Sequence, residues 1–325
     1  MTPEEIQYAV TNLHYDNQSA YSTRGRIRAI MNGGPDGILA LLGDQLKGFQ
    51  DYQIPVPNLM MSGLEHLSQK IGRIPNLKVD VPNNKDSDRA RAKADKIARI
   101  VTSYDDTQKL DLQMPQVGRW LPGYGFAVWV IREKKGPDGT PYPCAELRDP
   151  YNCFPGYFGA DQQPKEMAII RRVPKQSLAQ VYPKFADQIM KKNVVNTLGI
   201  GSAYASAYTD SYNGSWANSN GQGDLIAEYY NQEGTYIFHM TSSTILDFIP
   251  NPLDSGPAFV VAKKFAFDRL QGQYDQIIGL MASMAKINVM SIIAMEDAVF
   301  TETNISGEIE SGQYRKGRFA VNYLA

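Results

Sequence analysis

Apolar side chains recur at helical spacing through one proline-free stretch, Asp268 to Phe300. Leu270, Tyr274, Ile277, Ile278, Met281, Met284, Ala285, Ile292, Met295 and Val299 lie mostly three or four positions apart, which predicts one continuous helix. A second set, Leu280, Ile287, Val289, Met290 and Ile293, fills much of the remaining circumference. Only Lys286 is charged between Ile277 and Met295. Such a helix has to be covered on most sides, and at roughly 50 Å it is too long for one small domain to cover. Other chains and lipid are the two possible coverings. Lys286, Asn288, Ser283 and Ser291 fall near its middle and interfacial aromatics are missing, which favours other chains over a bilayer. Methionines at 281, 284, 290 and 295 suit an adaptable packed surface.

Upstream, the pattern alternates between the two periods. Thr2-Pro3-Glu4-Glu5 is helix-start chemistry and predicts a helix to about Leu13. Asn17 to Gly37 is polar, with Arg24, Arg26 and Arg28 on alternating positions, and reads as an arm. Ile38 to Phe49 is apolar at helical spacing, followed by a proline-bounded linker, Ile54 to Pro57. Further helices are expected after Asn58 (stripe Met60, Leu64, Leu67, Ile71), after Ser87 (Ala90, Ala94, Ile97, Val101, Tyr104) and from Thr107 to Leu121. Leu77, Val79 and Val81 alternate as a strand would. Strands are also expected at Tyr124–Ile131, Cys144–Leu147 and Glu166–Val173, and as a meander at Leu225–Asn231, Thr235–His239 and Ser243–Phe248. Ser177 to Tyr182 is a short helix, and 193–223, rich in Gly, Ser, Asn and Tyr, a long loop. Past Phe300 the chain turns polar and reads as short strands. The expected class is α+β.

Composition changes little in this picture. The 325 residues are 43% hydrophobic with a net charge of -1, which argues against a surface that binds nucleic acid everywhere. The N-terminus has no apolar leader, so a cytosolic product is expected. Cys144 and Cys153 match no zinc spacing and are expected to be reduced and structural. His14, His66 and His239 have no ligands at metal spacing, and no GxSxG elbow, HExxH pair or P-loop occurs. Asp105-Asp106 is expected to cap the helix that follows it. Neither a catalytic centre, a metal nor a cofactor is expected. The basic pairs and clusters, including Arg171-Arg172, Lys263-Lys264 and Arg315-Lys316-Gly317-Arg318, read singly as solvated patches. In a ring, each would become a belt of charge able to touch a nucleic-acid backbone.

The order and texture of NLMMSGLEHLSQKIGRIPNLKVDVP, QVGRWLPGYGFAVWVIRE, GPDGTPYPCAELRDPYNCFPGYF, EMAIIRRVPKQSLAQVY and NPLDSGPAFVVAKKFAFDRLQGQYDQIIGLMASM resemble the portal proteins of tailed bacteriophages. The resemblance implies a ring, usually of twelve subunits, at the capsid vertex of the head-tail junction. Double-stranded DNA passes through such a ring during packaging and ejection. The implied partners are terminase, a head-tail adaptor and the major capsid protein, with assembly in the host cytoplasm. By position, 1–37 would be an N-terminal arm, 38–261 a mixed helix/antiparallel-sheet wing, 262–300 a stem helix, and 301–325 the start of a small β-rich clip. Family members continue into a second stem helix and channel loop, so on this reading either the chain is a fragment of a longer portal or those parts are absent. On this reading Ile277, Met281, Met284, Ile292 and Met295 form a subunit interface. Lys286 (with Gln276 and Ser283), Arg315, Lys316 and Arg318 are channel or clip contacts; a salt bridge to a neighbouring subunit is the other role open to Lys286. Two alternatives stay open: a capsid or tail assembly protein without a DNA channel, and an enzyme whose residues converge from distant segments, such as Asp105, Asp106 and His239.

Overall fold

Strict alternation on the central strands decides how the layers stack. The computed structural model describes residues 1–32, 59–74, 79–81, 87–136, 139–159, 163–190, 223–253, 256–263 and 270–299. The expected helix at 38–49, the linker, the 193–222 loop, and the clip with Arg315, Lys316 and Arg318 lie outside them. The protein is α+β. One antiparallel sheet has the order β2-β1-β8, with β1 Phe126–Lys135, β2 Pro141–Arg148 and β8 Phe259–Lys263. The other has the order β3-β4-β5-β6-β7, with β3 Cys153–Pro155, β4 Met167–Pro174, β5 Gly223–Tyr230, β6 Gly234–His239 and β7 Thr244–Pro250. The expected meander is β5-β6-β7, in register with Glu228 opposite Ile237 and Tyr236 opposite Phe248.

Alternate residues of β4 and β5 point to opposite faces. Met167, Ile169 and Tyr230 join Phe126, Val128, Val130, Phe259 and Val261 in a core between the two sheets. Ala168, Ile170, Ala227 and Tyr229 face α1 (Pro3–Asp16), meeting Ile6, Val10 and Leu13. Thr2 and Glu5 form a reciprocal capping box at the start of α1. A third cluster places Ile226, Ile237 and Leu246 under α6 (Lys175–Val181) and α7 (Ala186–Met190).

The segment read as an arm is corrected for residues 18–32. They form α2 (Gln18–Asn32), whose Ile27, Ala29 and Ile30 are buried. Arg24 is buried as well, its guanidinium donating to the carbonyls of Pro150 and Cys153 at 3.0 Å each and lying over the Phe126 ring. Burial lowers its pKa to about 10. This arginine is therefore no surface phosphate contact, and Arg28 is also engaged, with Asp149 and the Tyr151 ring.

Helices α3 (Leu59–Ile71), α4 (Asp88–Gln108) and α5 (Leu110–Tyr124) precede β1. On α3, Leu64 of the expected stripe is buried and Leu67 half-buried, with Ser68 buried beside them, whereas Ile71 at the end of the stripe is exposed. Helix α4 has its Ser87 cap, but Ile97 of its expected core stripe is exposed. Asp105 and Asp106 belong to its last turn and do not cap α5, because the break falls at Lys109, whose φ is 51°. Residues 79–81 form no strand. Cys144 and Cys153 are both buried and free of any disulfide.

Candidate assembly surface

Helix α8 (Ile278–Val299) is the apolar helix of the sequence, starting ten residues later than its periodicity predicts. Residues 270–277 are a turn instead. The Gly272 backbone lies against the Gly123 carbonyl so closely that no Cβ would fit, and the Gln273 N–H donates to Pro122 O at 2.7 Å. Gly125, with a φ of 86°, is pressed in the same way against Gln271. Asp275 accepts the Gly272 N–H at 3.2 Å. Leu270 and Tyr274 keep the helical spacing because they face the core into which Ile278 and Met281 pack. The helix is thus rooted in the α+β body at its first turn.

Beyond that root the two sides of α8 have opposite fates. Ala285 and Val289 are buried at 1% and 0% exposure, in line with Ile278. Leu280 and Ile287 are 63% exposed, Met284 44%, Met290 58% and Met295 68%, although these side chains are equally apolar. Of the expected interface residues, Met281 and Ile292 are partly buried, whereas Ile277, Met284 and Met295 are exposed. Leu280 and Ile287 mark the centre of the open face, although the expected subunit interface does not include them. The signal was present in their spacing, but a helix apolar all round does not reveal which side its own chain covers. Lys286 is exposed on the flank of this face.

Charge is concentrated elsewhere, at the junction of the two sheets. Glu228 of β5 is 1% exposed and accepts from Arg132 of β1 at 2.8 Å and from the Tyr230 hydroxyl at 2.7 Å. It also pairs with Arg171 of β4 at 2.8 Å. Arg171 therefore ties strands together. Burial opposes the charge on Arg132, but Tyr230 and Glu228 more than offset it and its pKa is raised. On the same face of β5, Asp224 contacts His239 Nε2 at 3.1 Å, and His239 Nδ1 lies 2.6 Å from Ser242 Oγ. His239 thus meets Asp224 and Ser242; Asp105 and Asp106 lie at the end of α4. Among the described residues no group of His, Cys, Asp or Glu converges as metal ligands would.

No protein-family model matches the chain, and no curated protein matches it.

Proposed function

We propose that this chain is a structural subunit of a homo-oligomeric ring, of the portal type, that conducts double-stranded DNA at a capsid vertex. The observation that carries the reading is α8, covered by its own chain on one side and displaying Leu280, Met284 and Ile287 on the other. Exposed apolar surface of this extent marks a site of association. A ring repeats one contact around an axis and covers such a face without adding a new kind of partner. The order of segments supports a portal ring, of twelve subunits in that family, rather than another capsid or tail component. In this role the body would act as a wing that docks terminase, the adaptor and the capsid protein, with the protein resident in the virion. Electron microscopy of the purified protein tests it: rotationally averaged rings with a central channel are expected, and monomers or closed shells would reject it.

One observation favours a second reading. Ile278–Met295 is long and apolar enough to cross a membrane by length and composition. Its buried side, however, continues into the core formed by β1, β4 and β8, and Lys286 and Asn288 interrupt its centre. Partition of the protein into the detergent phase would favour lipid as the covering.

A further inference from the structure

We propose that Ser242 is an activated nucleophile and that the β6–β7 hairpin carries an acyl-transfer site, independent of ring assembly. Three groups stand in line. Ser242 is exposed in the turn, His239 ends β6, and Asp224 lies on β5, the last two being 1% exposed. Ser242 Oγ is 2.6 Å from Nδ1 of the imidazole, and Asp224 Oδ2 is 3.1 Å from Nε2. An accessible hydroxyl on a buried imidazole, itself oriented by a buried carboxylate, is the arrangement that turns serine into a nucleophile. Its ring nitrogens are used in the opposite sense from the usual triad, which leaves the proton relay intact because each nitrogen can serve as donor or acceptor.

The surroundings hold these groups in place. Asp224 also accepts from the Thr241 hydroxyl at 3.4 Å and faces Lys175 at 3.8 Å. The turn is fixed by Ser243 Oγ donating to Gln7 of α1 at 2.9 Å and by Thr244 Oγ1 donating to the Ser242 carbonyl at 3.0 Å. A competing acceptor for the Ser242 hydroxyl is Thr244 Oγ1 at 3.0 Å, longer than the contact with the imidazole.

The exposed hydroxyl is open to an activated acyl donor, for which a carboxylic ester is the simplest class. Oγ would bond to the acyl carbon while its proton moves to Nδ1. The ester C–O bond then breaks, and the alcohol leaves with that proton. Water, deprotonated by the imidazole, attacks the acyl-serine and releases the carboxylic acid, restoring Ser242.

The test uses the full chain with a fluorophosphonate probe and peptide mass mapping. Labelling at Ser242 is expected. It should disappear in Ser242→Ala, whose exposed side chain lets the variant fold, and fall at least about tenfold in His239→Gln or Asp224→Asn. Absence of labelling in the folded parent, labelling that survives Ser242→Ala, or equal labelling after unfolding in urea each overturns the proposal.

Discussion

His14 sits where a proton is hard to accept. Its ring packs against Phe154 at 5.0 Å and Tyr21 at 5.8 Å, with the buried Arg24 guanidinium nearby. Burial, reinforced by that positive charge, lowers its pKa from 6.5 to about 4. The unfolded chain therefore binds a proton between these values that the folded chain refuses, and stability rises with pH across that window. What His14 contributes is fully present above pH 6.5 and is lost as the pH falls towards 4. Allowing for the solvent that still reaches the ring, the loss is roughly 1–2 kcal/mol. Urea midpoints at pH 7.0 and 4.5 measure it. His14→Phe should narrow the gap between the two midpoints; an unchanged gap would place the acid sensitivity in other groups. Arg24 is compensated differently, by carbonyls of residues 150 and 153, more than a hundred positions along the chain. No local pattern in the sequence announces those acceptors, which is why α2 reads as a polar arm until its partners are known.

Elements whose partners lie close in sequence were legible. The β5-β6-β7 meander, the β1-β2 hairpin and the capped start of α1 follow from alternation, turn residues and capping chemistry, all local. The beginning of α8 was not legible, because the break at 270–277 is imposed by Gly123 and Gly125, far upstream. The proposed assembly surface was legible as a helix needing cover but not as a direction around it, and Ala285 and Val289, sealed inside, mark Leu280 and Ile287 as the outer face. That direction can be tested. Replacing Leu280 and Ile287 together with glutamate would place two carboxylates in the proposed interface, at a cost of several kcal/mol per contact. Sedimentation velocity should show the variant as monomer at micromolar concentration. Its unfolding, measured on that monomer, should change by less than about 0.5 kcal/mol per site, since both side chains are exposed within one chain. Intact rings in the variant would exclude this face from the interface.

A ring multiplies every charge it carries around the axis, so a molecule with a net charge of -1 can still offer DNA a local positive belt. A conduit also has to let the duplex slide, which calls for backbone contacts and no reading of bases. The proposed ring, once assembled, should therefore bind two unrelated duplexes of equal length with affinities within about twofold of each other. Binding should weaken as salt rises, with the slope of log K against log salt reporting the phosphates neutralised, about 0.9 per contact. Lys286, on the flank of α8, is the charge to change. If it faces the channel, Lys286→Gln should lower that slope by about one for each phosphate a subunit lysine had contacted. Lys184→Gln, an exposed charge beyond α6, should leave the slope alone. Fluorescence anisotropy across a salt series reads both variants. Equal slopes in the parent and Lys286→Gln rings would move Lys286 from the channel to the contact between neighbouring subunits. A preference for one duplex over the other would argue against a conduit, because direct readout and free sliding demand opposite surfaces.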